Sequence, residues 1–256
     1  MTQTVAIVTG ASSGIGAASA IRLAQDFSAV VLVARGGEGL SRTADAVRAA
    51  GAEAMIVGMD LSAPEAAEHV IARALERFGR VDALLNIAGA VVGQDLFQMS
   101  DALWDEGMGL KFHGARRLTI HAWEALKASG GSVVFTSGNA AELPRPGAAA
   151  VGAINAAIEA LAKAFAERGI ADGVQVNTVS PGAVMTTRRL AMLQKAAEAR
   201  GVSLEAAKAQ FLAAAGIARF GEPGEIAELM AFLASSKGRW LTGSVLRMDG
   251  GEVKSV

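Results

Sequence analysis

Apolar residues in this chain follow two rhythms that alternate from one end to the other. Short runs at Thr4–Val8, Ala29–Ala34, Glu53–Met59, Ala83–Ile87, Ser132–Ser137, Val174–Ser180 and Ser244–Met248 have the length and character of strands buried on both faces. Between them the apolar positions recur at helical spacing, as in Ile15, Ala18, Ile21 and Leu23. Helices are predicted at about Gly14–Asp26, Leu40–Ala50 (stopped by Gly51), Asp101–Ala128, Ala148–Arg168 and Pro223–Ser235. Another starts after Ser62-Ala63-Pro64-Glu65, which reads as a capping box with proline in the first turn. A long stretch from Met185 to Ala215 reads as a mobile lid of one or two amphipathic helices. Strand and helix alternate throughout, which predicts an α/β fold with a parallel sheet covered on both sides. No linker or internal repeat divides the chain, so one domain is expected over residues 1–256.

The first strand runs into Thr9-Gly10-Ala11-Ser12-Ser13-Gly14-Ile15-Gly16, and a helix follows at once. Glycine tolerates positive φ and has no side chain to hold a diphosphate away from backbone N–H groups. The helix N-terminus adds partial positive charge beneath that diphosphate. This strand, glycine turn and helix predict dinucleotide binding in a Rossmann-like sheet. At the end of the second strand, where an acid would bind a ribose 2′-hydroxyl, stands Ala34 followed by Arg35. A guanidinium suits a 2′-phosphate, so NADP(H) is favoured over NAD(H), with a solvated loop arginine as the alternative. Asp60-Leu61 falls where adenine would lie, although Asp60 equally suits a turn. Ala88-Gly89 offers small residues beneath a ribose.

Composition narrows the classes. With 256 residues, 52% of them apolar and 19% charged, the chain is globular rather than disordered. A net charge of −1 implies no broad basic face for nucleic acid. The absence of cysteine excludes disulfides and thiolate metal sites and favours a cytoplasmic protein. His69, His113 and His121 lack ligand spacing, so no metal is expected. The first strand begins too early to leave room for a signal peptide. No apolar run reaches membrane-spanning length without glycine or charge, so no membrane partner is expected. The chain also contains no tyrosine.

Taken together, Thr9–Gly16, Asp60-Leu61, Asn86-Ile87-Ala88-Gly89, Asn177–Gly182, Thr186, Arg219–Pro223 and Thr242–Gly251 resemble the short-chain dehydrogenase/reductase family over nearly the whole length. The family usually has a second asparagine where Ile87 stands. The resemblance implies seven strands in the order 3-2-1-4-5-6-7, and a homotetramer or homodimer formed through the helix at Ala148–Arg168. It also implies a nicotinamide cofactor and a small-molecule substrate. The cofactor would lie on Gly10, Ser12, Ser13, Gly14, Ile15 and Gly16, then on Arg35, Asp60, Leu61, Asn86, Ala88 and Gly89. Asn155, Pro181, Gly182, Val184 and Thr186 would complete that site.

Family members usually work with an Asn-Ser-Tyr-Lys set. Aligned on flanking residues, those four positions hold Lys111, Gly138, Val151 and Asn155 here. General acid catalysis contributes about 10²–10⁴ in rate and an oxyanion donor about 10²–10³, so ordinary ketone reduction by the usual route should be very slow. Three readings follow. Lys111 and Asn155 look like an exchange of ammonium and amide between facing helices, with Lys111 as a proton donor whose pKa burial lowers and Asn155 on a ribose hydroxyl. A lysine there equally suits a surface position with only its stem buried. Alternatively the substrate, such as an imine or conjugated alkene, needs no strong acid and is lined by Val151, Val184, Met185 and Leu190–Leu193. In the third reading the protein binds NADP(H) as a sensor or structural ligand. Arg145, Arg188 and Arg189 could hold an anionic substrate or simply be solvated. Trp104 and Phe112 read as core, and Met185, Met192 and Phe211 as an apolar lid or as packing.

Overall fold

The structure, a computed structural model, describes residues 3–255. Seven strands form one parallel sheet: β1 (Val5–Thr9), β2 (Ala29–Ala34), β3 (Glu53–Gly58), β4 (Ala83–Asn86), β5 (Ser132–Thr136), β6 (Gln175–Pro181) and β7 (Val245–Met248). Their spatial order is β3-β2-β1-β4-β5-β6-β7, as the resemblance implies, and the register of β1 sets Ile7 opposite Val31 on one side and Leu84 on the other. The order reverses beside β1, so the crevice at its carboxyl end is where such sheets take ligands.

Alternation along each strand divides the core into two halves. Val5, Ile7, Val31 and Leu84 face one way, onto α3 (Ala66–Phe78), α5 (Ala115–Ser129) and α6 (Ala149–Asp172). Ala6, Val8, Val30 and Leu85 face the other, onto α1 (Gly14–Leu23), α2 (Glu38–Ala49) and α9 (Pro223–Ala234). Asp172 ties α5 to α6 by accepting from Trp123 Nε1 and Arg168 Nε, both at 2.8 Å, and by pairing with Lys127 at 3.1 Å. By length and composition the helical stretch Pro146–Asp172 could cross a membrane, yet Ile158, Ala162 and Ala166 on it belong to the core against the sheet.

Two local expectations are corrected. The capping box at Ser62–Glu65 does not form, because Asp60 Oδ1 takes both the Ser62 N–H at 3.0 Å and its hydroxyl at 2.8 Å. That turn delays α3 to Ala66, whose N-cap, Glu65, makes no side-chain bond. The long helix after Asp101 is not uniformly α-helical: α4 (Asp101–Gly107) passes into a π-helical segment, Met108–Gly114, before α5. The stretch after Met185 holds two helices, α7 (Thr187–Arg200) and α8 (Leu204–Ala215), each capped by a hydroxyl.

The entry into α1 rests on contact between backbones. Gly10, at φ +67°, turns the chain, and a Cβ on Gly16 would lie 2.1 Å from the Gly10 carbonyl oxygen. No flexible side chain is there to give way. Gly16→Ala is therefore expected to cost about 1–3 kcal/mol, as overpacking does. Thermal unfolding should show a lower melting temperature, and an unchanged one would contradict the close approach.

Candidate functional site

Two cavities open side by side at the carboxyl edge of the sheet. The first, about 470 Å³, is lined by the Gly10–Gly16 turn, Arg35, Asp60-Leu61 and Ala88-Gly89. The second, about 480 Å³, is lined by Lys111, Ser137-Gly138, Val151, Asn155, Pro181-Gly182 and residues of α7 and α8. Ile15, Gly89, Thr136, Thr186 and Arg188 line both, so the two form one trough.

The first cavity fits a dinucleotide phosphate. Ser13, the N-cap of α1, makes no side-chain capping bond, and the first turn carries no acid. The N–H groups there are left for an anion. Gly14 packs close, since a Cβ on it would meet Thr186 Cγ2 at 3.2 Å. Arg35 stands exposed at the rim beside Asp60, whose carboxyl is held below its usual range mainly by the Ser62 backbone and hydroxyl bonds, with help from Arg35. Asp60 thus builds the turn and borders the cavity at once.

One residue of the expected set is placed elsewhere. Asn86 does not line the trough; its Nδ2 donates to Thr119 Oγ1 at 3.1 Å, tying β4 to α5. Thr9, which the motif left unassigned, does the work at the end of β4: its hydroxyl accepts from the Ile87 and Ala88 N–H groups at 2.8 and 3.0 Å. The remaining expected residues border one cavity or the other.

At the floor of the second cavity the π-helical segment delivers Lys111 against α6. Its ammonium donates to the Ser137 carbonyl at 3.0 Å and, very closely, to Asn155 Oδ1. Lys111 is half-buried, and its ammonium turns inward to these two acceptors at the cavity floor rather than outward to solvent. Burial brings its pKa down to about 8, with the Arg188 charge adding to the shift and Glu159 opposing it. Gly89 makes room for the stem, because a Cβ there would sit 3.0 Å from Lys111 Cδ. Gly138 adopts φ +154°, and a Cβ on it would meet Asn155 Nδ2 at 2.9 Å. The glycine thus admits the Asn155 amide, which is itself buried.

Glu159 was not anticipated from the sequence. It lies one helical turn beyond Asn155 on α6, and that i, i+4 spacing is the signal that points to it. Burial raises its carboxyl; the Ser137 hydroxyl and Lys111 pull the other way. Its Oε1 and the Ser137 Oγ are both buried without a well-formed hydrogen bond.

The apolar wall is smaller than expected. Val151, Val184 and Met192 line the cavity, but Met185, Leu190 and Leu193 do not, and Leu193 is buried elsewhere. Phe211 lines the cavity and also stacks on Phe220, 5.4 Å away. Trp104 and Phe112 pack into the core. All three arginines reach the cavity, and Arg188 spends its guanidinium on the Gly89 and Val91 carbonyls. Among the described residues no group of three metal-ligating side chains occurs.

The family model described as enoyl-(acyl carrier protein) reductase matches residues 10–252. The short-chain reductase protein NovJ of Streptomyces niveus is 31% identical over 249 residues, covering 97% of this chain and 94% of that protein. An A-factor type gamma-butyrolactone 1′-reductase of Streptomyces virginiae is 35% identical over 254 residues, covering 98% and 96%. Among solved structures, the L-sorbose reductase of Gluconobacter frateurii complexed with NADPH and L-sorbose superposes with a TM-score of 0.95 at 27% identity, covering 100% of this chain and 98% of that one. An actinorhodin polyketide ketoreductase variant with NADPH gives 0.91 at 31%, covering 98% and 97%.

The buried ammonium has a measurable linkage. Lys111 titrates near 8 when folded and near 10.4 when unfolded, so over that interval the unfolded chain binds the extra proton. Stability from this group is lowest below pH 8 and rises between about 8 and 10.4, by a total on the order of 3 kcal/mol. Melting curves at pH 7 and 9.5 should show the wild type gaining on Lys111→Met as pH rises. A constant difference would contradict the buried ammonium.

Proposed function

The chain belongs to the short-chain dehydrogenase/reductase family, and from that premise we propose that it is an NADP(H)-dependent oxidoreductase in which Lys111 handles the proton. The observation that carries this reading is the Lys111 ammonium, set at the floor of the second cavity and held by Asn155 Oδ1 and the Ser137 carbonyl. The cofactor, when bound, supplies or accepts a hydride. Its phosphates would rest on the open N–H groups of α1, and its 2′-phosphate on Arg35. The NADPH complexes of the sorbose reductase and the polyketide ketoreductase support the same cofactor.

The family's usual acid cannot operate, because the chain has no tyrosine and the positions of the usual serine and tyrosine hold Gly138 and Val151. Lys111 takes over the proton. With a pKa of about 8 it is mostly ammonium at neutral pH, yet it is acidic enough to release a proton to a nascent alkoxide. Asn155 accepts from the ammonium through Oδ1 and steers it, while Val151 and Met192 border the reacting end and exclude water. Residues 185–215 serve as the lid over this cavity. The outer face of α6 serves self-association into a dimer or tetramer.

A second reading is favoured by the same two hydroxyl-free positions: the protein binds NADP(H) and turns nothing over. Spectrophotometric loss of NADPH against a panel of ketones, imines and enones separates the two. Turnover is expected, falling as pH rises through about 8, with Lys111→Met slower by about 10²-fold or more. Full turnover in that variant would end the lysine role, and no turnover with tight NADPH binding would favour the binder. Arg35→Ser is expected to weaken NADPH about tenfold or more while sparing NADH, as read by thermal shift. Equal loss for both cofactors would remove the 2′-phosphate contact.

A further inference from the structure

The arginines of the second cavity are not equivalent. Arg188 is occupied by backbone carbonyls, and Arg145 is exposed on its loop. Arg189, in the first turn of α7, lines only the second cavity. Its guanidinium lies over the Phe211 ring, 5.1 Å from the centroid, and Phe211 is itself braced on Phe220. Among the described residues its guanidinium N–H groups donate no hydrogen bond and it forms no ion pair. Its backbone N–H alone is used, capped by Thr186 Oγ1 at 3.2 Å.

An arginine half withdrawn from water, with one face fixed on an aromatic ring and its donors open toward a cavity, is arranged for an acceptor that arrives from outside. Burial lowers its pKa and the neighbouring Arg188 adds to that, while Glu252 acts in the opposite direction. Glu252 lines the same cavity and is anchored by Asn139 Nδ2 at 2.6 Å. It offsets part of the positive charge without closing on Arg189. Arg188 keeps its charge but spends its donors on carbonyls, so Arg189 offers the half-buried free fork, which suits the two oxygens of one carboxylate.

We infer that Arg189 is the anchor for a carboxylate on the substrate, held by its guanidinium edge above Phe211, so that the substrate class is an oxo- or hydroxy-acid with an apolar segment beside Val151 and Met192. This inference rests on reading the second cavity as the substrate end of an oxidoreductase. Arg189 is a positioning and specificity residue here; the proton and hydride steps are those already proposed. The planar fork matches the two oxygens of a carboxylate, and its rigid seat reduces the conformational cost of binding.

The test uses binding, so that it does not depend on turnover. The NADPH-loaded full-length protein is titrated by calorimetry with hexanoate, hexanamide and inorganic phosphate. Hexanoate should bind at least about tenfold more tightly than hexanamide, since one charge-assisted fork separates them, and more tightly than phosphate. Arg189→Gln should erase the preference and Arg189→Lys should keep part of it, with the NADPH-induced thermal shift preserved in both. Equal affinity for hexanoate and hexanamide in the wild type overturns the inference, as does an undiminished preference in Arg189→Gln. Tighter phosphate than hexanoate overturns the monoanion. Hexanoate selectivity without oxidation of NADPH by any compound would uphold Arg189 and defeat the redox reading. NADPH oxidation without selectivity would do the reverse.

Discussion

A charged nitrogen taken out of water dictates its surroundings, and here that nitrogen is Lys111 Nζ. An ammonium in a low-dielectric interior is tolerated only where acceptors meet it, and Asn155 Oδ1 and the Ser137 carbonyl do so. Each requirement propagates. The stem needs Gly89 beneath it; the amide that faces it needs Gly138 beside it; and the backbone that carries it leaves α-helical geometry over Met108–Gly114. Such wide turns recur at functional sites because they reorient one side chain without disturbing the helix on either side. Three small local departures thus serve one polar contact.

The fold was largely legible because the forces that set it are repeated along the chain. Strand runs such as Ala29–Ala34 sit between helices, and burial on both faces of a parallel sheet leaves little freedom in reading them. The Gly10–Gly16 turn was legible for the opposite reason, being one compact motif with a strict steric demand. What sequence did not disclose depends on competition between neighbours. Ser62 carries the chemistry of a helix cap, but Asp60 two residues earlier captures it first. The π-helical segment has no composition of its own; Gly107 and Gly114 mark close approaches, to Ile154 and to the Leu61 carbonyl, without naming the geometry.

The site divides along the same line. Residues that border the first cavity through the glycine turn were readable from the glycine pattern. Asn86 was misplaced because a polar residue at a strand end can face the crevice or the covering helix, and Thr119 supplies the competing partner on α5. Glu159 went unnoticed because its importance comes from what surrounds it, a buried hydroxyl and an ammonium on other elements. The pairing of Lys111 with Asn155 was the one side-chain relation that reached across elements and was visible in advance. It could be seen because two unusual residues occupied two related positions.

The conformation of Gly138 constrains how this pocket can be rebuilt. A hydroxymethyl group there would strike the Asn155 amide and force an L-residue to φ +154°. A serine at 138 therefore requires the Asn155 amide to move aside, which leaves the Lys111 ammonium with the Ser137 carbonyl alone. Change at 138 is thereby coupled to the amide at 155 and, through it, to the ammonium.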